Sequence, residues 1–289
     1  MWYVHDTILL HWQHFYNFSF CFQLIKRYVA ILREPLQRLK SAFKYFHLQN
    51  GFPGLKEETP DGIDYVTTYL ARPSYWDSRY NQVKNIVARE HFCFRNCMAR
   101  DLGLSEADYD NYTAVEEFIQ GIENDFTTVL ISNYLPESLI LLKRRMCWTF
   151  YDILYTTAKH AKKQRYKTKA PITDAMKRTF YKHNYADLML FTRFNESLHR
   201  QISQESTDFQ DEVNEFVGVN NDVLRFCHSK EMQKRDKMVV EKSKWNDAFT
   251  VDKLFCARYV RSRKYWDMVL RPRYQQTEIE NLDEGKSLI

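Results

Sequence analysis

The chain has 289 residues, 44% of them hydrophobic, enough for one large or two small domains with a sizeable core. With only 7 Gly and 7 Pro it is neither collagen-like nor disordered, and a sandwich is disfavoured. Net charge is +5, which suits an anionic ligand without demanding nucleic acid, and no run of eighteen apolar residues offers a spanning helix. Residues 1–27 are rich in Trp, His, Tyr and Phe and form an atypical N-terminal segment without the Lys/Arg region of a signal peptide.

Tyr28–Leu32 is a short apolar run that ends in charge, as a buried central strand does. Arg33-Glu34 follows, and Pro35 fits the first turn of a helix to Phe46. Leu36, Leu39, Phe43 and Phe46 make its apolar face. Ligands in open α/β sheets bind at the carboxyl ends of strands, which is where Arg33 sits. A helix N-terminus beside it would add partial positive charge and free N–H groups, and a guanidinium there can grip a phosphate. The alternative is an ordinary capped surface helix with an exposed Arg.

Gln49–Gly62 reads as a loop, punctuated by Gly and Pro. A helix over Ile63–Leu70 is predicted, with Asp61 as its cap and Arg72-Pro73 as its stop. Tyr75 and Trp76 are expected in the core rather than in a ligand groove. Thr113–Glu123 is an amphipathic helix. Thr127–Ile131 is a second strand, Ser132–Leu135 a turn, and Pro136 opens a helix running to Tyr155, with a buried stripe of Leu139, Leu142, Met146, Phe150 and Ile153/Leu154. Lys159–Lys169 holds six Lys/Arg and no acid; a solvated loop is preferred over a nucleic-acid patch. Helices are predicted from Thr173, over Leu188–Ile202, over Asp208–Phe226 and over Asp252–Leu270. Ser229–Asn246 reads as a loop or exposed helix, and 271–289 as an acidic, frayed tail. Two strand–turn–proline-helix units imply an α/β fold with a parallel sheet.

The segment Tyr28–Phe46, with Ser41 eight residues after Arg33, resembles the 3′-phosphate-binding segment of sulfotransferases. Glu137-Ser-Leu-Ile-Leu-Leu-Lys-Arg, then Cys147-Trp148 and Asp152-x-x-Tyr155, resembles the galactose-3-O-sulfotransferase family. Met98–Gly103, Ala186–Ser197 and Phe209–Cys227 fit it in the same order, and the resemblance covers roughly residues 28–270.

The resemblance implies a sulfotransferase-type, P-loop-like three-layer fold with a parallel sheet and a helix-rich C-terminal half, formed by an incomplete domain over 28–270. It implies transfer of sulfonate from 3′-phosphoadenosine 5′-phosphosulfate to the 3-hydroxyl of a terminal galactose, on a glycolipid such as galactosylceramide or on a glycoprotein, without a metal. Arg33 and Ser41 would hold the 3′-phosphate of this co-substrate. The parent protein would lie on the lumenal side of the Golgi membrane, held by a signal-anchor missing from this chain. In that compartment Asn111 and Asn195 become candidate glycosylation sites, and Cys227 and Cys256 a candidate disulfide. The sequon at Asn17 adds to the lean, while cysteine spacing alone assigns no pairs and makes a zinc site at Cys93 and Cys97 improbable.

The N-terminus departs from the family. No Gly precedes Gly51, so the 5′-phosphosulfate loop is expected to be missing, and its general base with it. His5, His11 and His14 fit structural roles better than catalytic ones. The catalytic residues therefore stay unassigned, the chain is expected to be inactive by itself, and the parallel sheet is expected to have an open edge. A non-catalytic glycan- or partner-binding relative of the same fold is the alternative.

Overall fold

The computed structural model describes residues 10–12, 27–80, 93–156, 170–228, 236–261 and the positions 265, 268 and 269. His5, His14, Asn17, the basic run from Lys159 to Lys169 and the acidic tail lie outside the described residues.

In chain order the elements are β1 (Leu10–Trp12), β2 (Arg27–Leu32), α1 (Pro35–Tyr45), α2 (Tyr65–Ala71), α3 (Pro73–Tyr80), α4 (Cys97–Asp101), α5 (Tyr112–Asp125), β3 (Phe126–Ile131), α6 (Leu135–Met146), α7 (Phe150–Ile153), α8 (Asp174–His183), α9 (Tyr185–Ser203), α10 (Phe209–His228), β4 (Lys237–Val240), β5 (Phe249–Asp252) and α11 (Lys253–Tyr259). Of the described residues, those from 10 to 147 and from 170 to 210 form one compact unit; those from 148 to 156 and from 211 onward form another.

In the first unit β2 is central. β3 pairs with it in parallel, and β1 pairs antiparallel on its other side, through Leu10↔Val29, His11↔Tyr28 and Trp12↔Arg27. The sheet is therefore mixed rather than all-parallel, and β2 has no open edge where β1 lies against it. Val29, Ala30, Ile31 and Leu32 are all buried, because a central strand packed on both faces needs a continuous apolar run.

Leu36, Leu39, Ala42 and Phe43 of α1 enter one core with Leu48, Phe52, Leu55, Tyr69, Trp76, Tyr80, Phe94 and Phe180. Phe52 is its hub, with ring centroids 4.7 Å from Phe94, 5.2 Å from Tyr80 and 5.4 Å from Tyr69. The segment between α1 and α2 is irregular, yet it supplies Phe52 and Leu55 to this core. Gly51 is required by that packing, since a Cβ there would meet Tyr80 Cε2 at 2.6 Å. Phe46 departs from the expected face: it lies at the C-cap of α1, is exposed, and meets Tyr45 edge-on. Asp64, not Asp61, caps α2, accepting from Thr67 N at 3.3 Å.

The long helix expected from Pro136 to Tyr155 is two helices. Cys147 adopts φ 53°, the left-handed conformation that ends α6, and Thr149 with Asp152 forms a capping box that starts α7. Ser138 to Leu142 are buried all round, which a stripe alone does not predict.

In the second unit, the charged stretch expected to be loop or helix contains β4, which pairs antiparallel with β5. Cys227 of α10 and Cys256 of α11 are joined in a disulfide, their Cα atoms 5.0 Å apart. Tyr155 N donates to Asn220 Oδ1 at 2.9 Å, and the Tyr259 hydroxyl donates to the Tyr155 carbonyl.

Candidate nucleotide-phosphate site

The parallel register sets Leu32 opposite Ile131, so the carboxyl ends of β2 and β3 lie side by side. Beyond β2 the chain turns through Arg33 and Glu34 into α1; beyond β3 it turns through one 3-10 turn, Ser132–Tyr134, into α6. Asn133 Nδ2 donates to Gln37 Oε1 at 3.3 Å across these two ends. Arg33 is half-buried in the bend. Ser41 is half-buried on α1, about 9 Å of helix rise from Pro35. An anion held by both side chains therefore depends on the reach of Arg33.

The helix N-terminus expected beside Arg33 is not open. Glu34 is the N-cap of α1: its carboxylate accepts from Leu36 N and Gln37 N, each at 2.8 Å. The positive end of this helix is thus met by the chain's own anion. Glu34 Oε1 also accepts from the hydroxyl of Tyr181 on α8, at 2.8 Å. Burial first, then the Glu34 charge, push the Tyr181 hydroxyl well above its ordinary range, so it stays a donor. Arg33 and Ser41, the residues expected to hold a phosphate, lie on either side of this capped turn, both half-buried.

The second unit of strand and helix differs. Tyr134 makes no side-chain cap at α6, and Glu137 lies in the first turn. Ser138, fully buried, reaches back to accept from Ile131 N at 3.1 Å, tying the helix to the end of its strand.

Behind α1 lies a buried polar cluster. Asp187 accepts from Ala99 N at 2.8 Å and Met98 N at 3.2 Å, so it caps α4 from α9. Asn96 N donates to Asn184 Oδ1 at 3.0 Å, and Asn96 Oδ1 accepts from Asp187 N at 3.2 Å. Burial raises the Asp187 carboxyl, against the pull of the buried Arg38 guanidinium and the two N–H groups. His183 is held at both ring nitrogens, by Asp77 Oδ2 at 2.5 Å and Ser74 Oγ at 3.1 Å, which makes it a link between α8 and α3 rather than a base open to a substrate. Tyr181, Asp187 and His183 did not stand out in the sequence, whereas Glu34 was read as part of the turn before a helix that could be capped. The one local signal was an acid directly before a helix-starting Pro, the position of an N-cap.

Asn111 is exposed and caps α5, accepting from Ala114 N at 3.3 Å. Asn195 is half-buried in the middle of α9. A disulfide joins Cys93 and Cys97. Among the described residues no group of His, Cys, Asp and Glu could hold a metal ion.

The sequence profile of galactose-3-O-sulfotransferase matches residues 24–256. The chain belongs to the galactose-3-O-sulfotransferase family. It is 28% identical to galactose-3-O-sulfotransferase 3 of Mus musculus over 207 residues, which cover 71% of this chain and 45% of that protein. It is 30% identical to galactosylceramide sulfotransferase of Bos taurus over 178 residues, 61% of this chain and 38% of that protein. The alignments thus span less than half the length of these relatives. No solved structure matches. Both strand–helix units, with Arg33, Ser41 and Ser138, lie inside the stretch that matches the family profile.

Proposed function

We propose that this galactose-3-O-sulfotransferase chain binds 3′-phosphoadenosine 5′-phosphosulfate and belongs to an enzyme that sulfates the 3-hydroxyl of a terminal galactose on a glycolipid, such as galactosylceramide, or on a glycoprotein. The observation that carries the reading is Arg33 at the carboxyl end of β2, beside the parallel β3, with Ser41 on the helix that follows. In this reading Arg33 and Ser41 hold the 3′-phosphate. The acceptor oxygen forms a bond to sulfur as the bond from sulfur to the bridging phosphate oxygen breaks. A base takes the hydroxyl proton, and cationic donors meet the charge left on the phosphate. Those donors and that base are not assigned to any described residue.

The disulfides Cys93–Cys97 and Cys227–Cys256 support an oxidising compartment, and a lumenal site at the Golgi membrane is part of the same proposal. Glycosylation at Asn111 is compatible with its exposure; at Asn195 the half-buried helical position makes it the poorer acceptor. Labelled 3′-phosphoadenosine 5′-phosphosulfate, given with a β-galactoside to the parent protein and to its Arg33→Ala variant, tests the function. Label on the galactose with the parent and loss with the variant are expected. A parent that binds nucleotide but never labels a galactoside is instead a non-catalytic relative.

A further inference from the structure

We propose that Tyr181 is a positioning residue for Arg33, acting through Glu34; the proposal rests on the reading that Arg33 holds the nucleotide 3′-phosphate. Two residues separate β2 from α1, so whatever fixes Glu34 fixes the backbone that carries Arg33. Glu34 is fixed by three donors. Its Oε2 takes Gln37 N–H, and its Oε1 takes both Leu36 N–H and the Tyr181 hydroxyl, each at 2.8 Å.

Two of these donors are local and come with the helix. The third arrives from α8, 147 positions along the chain. Tyr181 is itself anchored: its neighbour Phe180 is buried in the core that α1 shares, and the two rings are 5.6 Å apart. The hydroxyl therefore joins the bend to the core instead of leaving it to the helix cap alone. A guanidinium that grips a phosphate through parallel hydrogen bonds loses affinity when its backbone shifts by a fraction of an ångström. Sharing the Glu34 charge among three donors also lessens its repulsion of a phosphate bound at the adjacent residue.

The contact separates phosphate recognition from general nucleotide binding, and the test uses that. The probes are 3′-phosphoadenosine 5′-phosphate and adenosine 5′-phosphate, which differ in the 3′-phosphate, measured by calorimetry on wild type, Tyr181→Phe, Arg33→Ala and the double variant. Wild type should prefer the bisphosphate, and Arg33→Ala should lose that preference. Tyr181→Phe should weaken the bisphosphate about three- to tenfold, the range of one hydrogen bond, and leave the monophosphate unchanged. In the double variant it should add nothing, because the residue it positions is gone.

A Tyr181→Phe protein that keeps the full preference while Arg33→Ala loses it overturns the positioning role alone. Equal losses for both nucleotides also overturn it, since they report a general loss of structure. A wild type with no preference between the two removes the Arg33 reading and the positioning role together.

Discussion

The β2–α1 and β3–α6 units start from the same pattern, an apolar strand, a short turn and a proline near the start of a helix, but they finish their helix N-termini differently. At α1 a glutamate side chain covers the first N–H groups and is itself held by a tyrosine from α8. At α6 no side chain caps the end, and a buried serine instead ties the helix to the last residue of its strand. The pattern sets a strand and a helix; which polar group closes the junction sets what the junction can bind. In the first unit the closure occupies the helix N-terminus, so the proposed phosphate site draws on Arg33 and Ser41 rather than on the helix dipole.

The largest effect is expected from Ser138→Ala. It strips the buried Ile131 N–H of its partner and should cost about 1–3 kcal/mol in urea unfolding; a cost near zero would mean the junction of β3 and α6 is closed some other way. Glu34→Ala should cost about 1–2 kcal/mol, the loss of a cap. If it proves harmless, α1 is not held by its own acid, and the contrast between the units fails.

Tyr181→Phe should cost about 0.5–1.5 kcal/mol at pH 7. Tyr181 sits above the ordinary tyrosine value of 10.0 in the folded protein, so the folded state keeps the proton longer than the unfolded chain. Its stabilisation is fully present below about pH 10 and is lost as pH rises further, so the gap between wild type and variant should narrow above that pH. A gap that widens there would contradict the assignment. Glu137→Ala, which removes an acid from the first turn of α6 without removing a cap, should cost only about 0.3–1 kcal/mol. A larger cost than that of Glu34→Ala would reverse the ranking of the two ends.

Both strands and both proline-led helices were legible because short-range period and proline chemistry act over a few residues. Arg33 and Ser41, read as a motif, lie at the end of β2 and on α1. The end of α6 was not, because Met146-Cys147-Trp148 has no Gly or Pro, and the left-handed turn sits on a cysteine that is itself disulfide-bonded. The hairpin of β4 and β5 was hidden because each strand is only four residues long and, although exposure alternates along both, one residue alone, Val251, is buried. The Tyr181 hydroxyl that holds the Glu34 cap and the Asp187 carboxylate that caps α4 come from 147 and 88 positions away, so no local window holds both partners. The cap beside Arg33 is itself local, an acid directly before Pro35, and it matches the capped helix that the sequence left as the alternative.

The most direct measurement is calorimetric titration of 3′-phosphoadenosine 5′-phosphate into the wild-type chain and into Arg33→Ala, with the fold of each checked by circular dichroism. The account predicts binding by the wild type and a loss of about 1.5–3 kcal/mol in the folded variant, the worth of a hydrogen bond to a charged group. Unchanged affinity in a folded Arg33→Ala protein would contradict it.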